Sequence, residues 1–80
     1  MMVFKEMLKE RMKNDKLTQT DVAEVLGCSQ VMVSKYLSGD STPARIGITL
    51  KASSLLNVSI ETLMVAVANQ EKRNGLIKEA

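Results

Sequence analysis

Between Leu26, the last apolar residue of one helical stripe, and Gln30, the first residue of the next, lie only three residues, Gly27-Cys28-Ser29. Glycine at the start of that turn supplies the left-handed conformation that stops a helix, and Ser29 supplies a cap for the helix that follows. A turn this short swings the second helix sharply across the first. Ala23 is small enough for the two to approach closely, and Val22, Leu26, Cys28, Val33 and Tyr36 all point into the angle between them.

The rest of the chain reads as helix too. No stretch shows sustained period-2 alternation, whereas several repeat with the helical period. A first helix is expected from about Val3 to Asn14, with Phe4, Met7, Leu8 and Met12 inward and Lys5, Glu6, Lys9, Glu10 and Lys13 in solvent. The second starts at Thr18, whose hydroxyl can cap the N–H of Asp21 while Asp21 answers as the acidic half of a capping box. It ends at Gly27. The third runs from Ser29 to Gly39, with Val33, Tyr36 and Leu37 on one side. Ser41-Thr42-Pro43 then reads as a cap followed by proline in the first turn. That predicts a fourth helix from Pro43 or Ala44 to Leu56, with Ile46, Leu50 and Leu55 or Leu56 inward. Ser59 caps a fifth, whose apolar face is expected to be Ile60, Leu63, Met64 and Val67 and which stops at Asn74-Gly75. Residues 1–75 are expected to form one domain and 76–80 a tail.

Composition removes several functions. With no histidine and one cysteine, Cys28, a structural zinc site is effectively excluded and the usual general base is missing. A Ser or Cys nucleophile would lack its ordinary partner, and no glycine-rich phosphate loop is present, so no enzymatic activity and no cofactor are expected. Two aromatic residues, Phe4 and Tyr36, are too few for a base-stacking surface on single strands. Cys28 reads as a small apolar core residue, and Met7, Met12 and Met64 as core filling at helical spacing. The net charge of +2 decides little by itself. No apolar run is long enough to span a bilayer and the first residues lack a signal-peptide core, so a cytoplasmic protein is expected.

The segment LTQTDVAEVLGCSQVMVSKYLSGDSTP resembles the helix-turn-helix of the Cro/C1 repressor family, also called the xenobiotic-response-element family. Gln19, Val22, Ala23, Leu26, Gly27, Cys28, Val33 and Tyr36 fall in that family's register. Phe4 to Leu17 is similar to its first helix, and Leu56-Asn57-Val58-Ser59-Ile60 to the entry of its fifth. The likeness covers roughly residues 4–67. Ser38 stands where the family often has Asn, and Asp40 where it often has a basic residue. The resemblance implies a five-helix, lambda-repressor-like, all-α domain that places its third helix in the DNA major groove, as in small phage and plasmid repressors.

A helix in that groove reads base edges with its N-terminal and outward side chains. Here those are Gln30, Val31, Met32 in part, Ser34 and Lys35, which become the expected base contacts. Gln30 can pair with adenine N6 and N7, and Val31 can pack on a thymine methyl. No acidic residue falls between Glu24 and Asp40, as an approach to phosphates requires. The resemblance implies that Gln19, at the start of the second helix, binds a phosphate and braces Gln30. Thr18, Ser38, Ser41, Thr42 and Arg45 complete the expected phosphate contacts, Arg45 foremost because it is a cation. No small-molecule ligand is expected.

One recognition helix covers few base pairs, so a homodimer on a palindromic site is expected. Met64, Val65, Val67 and Ala68 offer apolar surface for it, in the region where the resembled family commonly pairs. A transcriptional repressor acting on double-stranded DNA is the first reading. The competing one is a protein-interaction module of the same fold, an antitoxin or partner-binding domain, which Ser38, Asp40 and the outward pair Val31-Met32 favour. Salt dependence of binding to random duplex separates the two.

Overall fold

The computed structural model describes residues 3–73, in which five helices follow one another: α1 (Phe4–Asp15), α2 (Gln19–Leu26), α3 (Gln30–Ser38), α4 (Ile46–Leu56) and α5 (Ile60–Arg73). Local chemistry sets most of their ends. Thr18 and Asp21 close a full capping box: the Asp21 N–H donates to Thr18 Oγ1 at 3.1 Å and the Thr18 N–H to Asp21 Oδ2 at 2.9 Å. Ser29 Oγ accepts from the Met32 N–H and Ser59 Oγ from the Thr62 N–H, each at 3.1 Å. Gly27 and Gly39 end α2 and α3 at φ of 71° and 89°, which only glycine adopts without strain. Lys16 and Asn57 end α1 and α4 in the same left-handed region, both at φ 54°. Asn74-Gly75, the expected stop of α5, lies outside the described residues, as does the tail.

The Asp21 cap carries a pH signature. The backbone N–H of Thr18, then its hydroxyl, hold the Asp21 carboxyl below its ordinary value. A depressed folded value adds stability above the unfolded pKa of about 4, and that stability is lost as the pH falls through the folded value. The wild-type protein should therefore lose more melting temperature between pH 5 and pH 3 than Asp21→Asn does. Superimposable pH profiles for the two would contradict this origin.

The core joins all five helices: Phe4 and Leu8 of α1, Val22, Ala23 and Leu26 of α2, Val33 and Tyr36 of α3, Ala52 of α4, and Leu63 and Val67 of α5. Its centre is the pair of aromatics, whose rings meet edge to face with centroids 5.6 Å apart and planes at 87°. α1 packs on α3 and α5, α2 on α3 and α4, and α4 on α5.

The start and orientation of α4 differ from expectation. It begins at Ile46, not at Pro43 or Ala44, because the expected cap is engaged elsewhere: the Thr42 hydroxyl donates to Glu71 Oε1 at 2.9 Å. Pro43 is buried in the connection instead. Ile46 and Leu50 point outward, at 75% and 51% exposure, and Thr49, Ala52 and Ser53 face the core. These buried hydroxyls are tolerated because each donates to its own helix, Thr49 to the Arg45 carbonyl at 2.9 Å and Ser53 to the Leu50 carbonyl at 2.7 Å. The small face lets α4 lie close to its neighbours.

α5 is also turned relative to expectation. Leu63, Ala66, Val67 and Gln70 are buried, Ile60 is half-buried, and Met64 is half-exposed and does not fill the core. Val67, expected at a dimer surface, belongs to the core. Ala68 is half-buried, which leaves Met64 and Val65 as the exposed members of that set. The cause of the turn is Gln70, 1% exposed. Its Oε1 accepts from the Lys5 N–H at 2.7 Å, and its Nε2 donates to the Gly39 carbonyl at 3.3 Å. Val3, which precedes α1, gives no side-chain cap, so α5 supplies one from across the molecule. The last turn of α5 thus holds both the start of α1 and the end of α3.

Candidate nucleic-acid interface

The capping box and the turn place one contiguous surface. Gln19 is the first residue of α2, exposed, with helix-start N–H groups beside it that favour an anion. Gly27 reverses the chain, and Ser29 caps α3 so that its first residue, Gln30, also stands exposed. Gln30 is not free to swing: its Nε2 donates to Thr20 Oγ1 at 2.8 Å, across the angle between α2 and α3. Gln19 was expected to brace Gln30; the hydrogen bond comes from the adjacent residue. Both Gln19 and Thr20 are polar and sit in the same helical turn, so spacing alone did not separate them.

The remaining α3 residues divide by face. Val31 is 67% exposed, and Ser34 and Lys35 are exposed beside it. Met32 lies on the flank, half-buried against the core. At the exit of α3, Ser38 Oγ donates to the Lys35 carbonyl at 3.0 Å and accepts from the Asp40 N–H at 3.3 Å, which ties the turn after the helix. Ser41 is half-buried, and its N–H reaches the same carbonyl at 3.3 Å. The hydroxyls of Thr18, Ser38 and Thr42 are therefore engaged within the protein, whereas Gln19 and Arg45 present unencumbered side-chain chemistry outward.

Arg45 precedes α4 and is exposed. It lines an open groove of about 320 Å³ together with Ser29, Met32, Tyr36 and Thr42, which brings its guanidinium to the side of α3. Burial pushes the Tyr36 hydroxyl pKa up, nearby Cys28 adds to the rise, and the positive charge of Arg45 opposes it. Cys28 is half-buried, and the same desolvation raises its thiol, so it is a poor thiolate near neutral pH. That suits the packing role read from the sequence.

The surface at the start of α3 carries an amide, an apolar side chain, a hydroxyl and an ammonium, the side-chain types that read base edges in a major groove. No carboxylate interrupts the chain between Glu24 and Asp40. Among the described residues no single helix is long and apolar enough to cross a membrane; α4 and α5 reach that length and hydropathy only together, and they meet at a bend of 106°. A family model described as Helix-turn-helix matches residues 8–63, more than half of the chain. Neither the curated proteins nor the solved structures give a match. The match spans α2, the turn, α3 and α4 in full and runs from within α1 to the first turn of α5, so the five-helix fold is lambda-repressor-like. The chain belongs to the Cro/C1-type helix-turn-helix family of DNA-binding proteins.

Proposed function

We propose that this protein is a transcriptional repressor that binds a palindromic operator as a homodimer, with α3 of each copy in the major groove. The observation that carries this reading is the start of α3, where Gln30 is held by Thr20 with exposed Val31 next to it. In a groove, Gln30 pairs with adenine and Val31 packs against a thymine methyl, while Ser34 and Lys35 reach further base edges. Met32 supports them from the flank. Gln19 and Arg45 take phosphates on either side, and the turn built by Ser38 and Ser41 shapes the backbone approach.

Dimerisation rests on apolar surface that the monomer leaves uncovered. Met64 and Val65 on α5 are exposed, Ala68 adjoins them, and Ile46 and Leu50 are exposed on α4, which packs against α5. Two copies with α3 helices about 34 Å apart would meet successive turns of one groove.

Selection of bound sequences from a random duplex pool at near-physiological salt tests the reading. Enrichment of an inverted repeat with half-sites about one helical turn apart is the expected result. A folded protein that enriches nothing and is barely retained overturns it in favour of the protein-interaction module. On the selected operator, Arg45→Ala should weaken specific and random DNA alike and reduce the salt slope by about 1. A change confined to sequence preference would move Arg45 from the phosphates to the bases.

A further inference from the structure

We infer that Thr20 is a specificity-determining residue: its hydroxyl positions the Gln30 amide for adenine before DNA arrives, an inference that rests on the operator-binding reading above. A glutamine amide has two N–H donors and one acceptor oxygen. One N–H is spent on Thr20 Oγ1 at 2.8 Å. What remains along the outer edge is Oε1 and one N–H, the complement of adenine N6–H and N7. Thr20 sits in the capped first turn of α2, so its own backbone is fixed by the Thr18–Asp21 box. Gln30 sits in the first turn of α3, fixed by Ser29. The hydrogen bond therefore joins two rigid helix starts, ten residues apart in sequence, through side chains exposed to solvent. It has little reason to exist for stability, since an exposed neutral pair adds little. Its effect is to restrict a long, rotamer-rich side chain. Immobilising such a side chain on binding costs roughly 0.5–1.5 kcal/mol, so holding it beforehand is worth about 2- to 10-fold in affinity.

The test measures binding of the full chain to the selected operator, to that operator with the adenine replaced, and to random duplex. Five proteins are compared: wild type, Thr20→Val, Thr20→Ser, Gln30→Ala and the double variant Thr20→Val/Gln30→Ala. Valine keeps the shape and removes the hydroxyl. Thr20→Val is expected to lose about 2- to 10-fold on the operator and nothing on random duplex. Thr20→Ser should restore the loss. In the Gln30→Ala background, Thr20→Val should have no further effect, because the two residues act as one unit. Equal loss on operator and random duplex, or additive losses in the double variant, would make Thr20 a backbone contact and overturn the inference. If Gln30→Ala itself leaves the preference for adenine intact, the base-reading role of Gln30 fails, and the role of Thr20 with it. If Gln30→Ala abolishes the preference while Thr20→Val does not alter it, only Thr20 is misassigned.

Discussion

Phe4→Ala should destabilise the domain by about 3–5 kcal/mol, the cost of emptying a fully buried phenylalanine site. Phe4 has no exposed surface, and its ring meets Tyr36 edge to face at 5.6 Å. Domains are stable by roughly 0.05–0.15 kcal/mol per residue, which for a chain of 80 residues leaves little in reserve. No disulfide supplements the core, since the sequence has a single cysteine. The substitution is therefore expected to bring the unfolding midpoint close to zero denaturant. The effect reaches α3 because Tyr36 belongs to it: with Phe4 gone, the largest side chain that anchors α3 in the core loses its opposite wall. Urea unfolding followed by far-ultraviolet circular dichroism checks this. A lower midpoint with an unchanged slope is the expected result, and a midpoint within error of wild type would show that the aromatic pair does not hold the core.

The helix-turn-helix was legible in the sequence because its determinants are local. Thr18 and Asp21 are three residues apart, Ser29 caps an amide three residues on, and Gly27 and Gly39 each stop their helix by their own conformation. No tertiary information is needed to see these. The α4 stripe was not legible for a related reason with the opposite outcome. Hydropathy favoured Ile46 and Leu50 for the core over Thr49 and Ser53, yet a threonine or serine that donates to its own helix is cheap to bury. The small face then wins because it packs closer, and the large aliphatics are left outside. The same periodicity argument placed Met64 inward on α5 and missed Gln70.

The candidate interface shows the same division. Gln30, Val31, Ser34 and Lys35 follow from helical register once Ser29 is taken as the cap, and the structure leaves all four exposed. The brace on Gln30 did not follow. Gln19 and Thr20 both lie in the first turn of α2, and which one reaches α3 depends on the crossing of the two helices, a property of packing and not of spacing. Spacing before Pro43 makes Thr42 a candidate cap for α4. Its hydroxyl turns instead to Glu71, twenty-nine residues away, a contact with no signature in either neighbourhood.

Gln70→Leu should destabilise the domain nearly as much as loss of Phe4, although leucine is apolar and of similar size. In the sequence Gln70 stands in the polar run Asn69-Gln70-Glu71-Lys72, with nothing to mark it as buried. In the fold it connects residues sixty-five and thirty-one positions away. Leucine would leave the Lys5 N–H without its acceptor at the start of α1, at a cost of about 1–3 kcal/mol, and would remove the bond to Gly39, worth about 0.5–1.5 kcal/mol. Hydrophobic gain offsets only part of this, since the glutamine stem is already buried. Gln70→Glu separates the polar role from packing. The introduced carboxyl keeps an acceptor for the Lys5 N–H but, when ionised, loses the donor to the Gly39 carbonyl. Gln70→Glu should accordingly be more stable than Gln70→Leu and less stable than wild type, measured by urea midpoint. Both variants should also weaken operator binding where still folded, because the carbonyl held by Gln70 belongs to the residue that ends α3. Wild-type stability in Gln70→Leu would mean that α5 covers the end of α3 without fixing it.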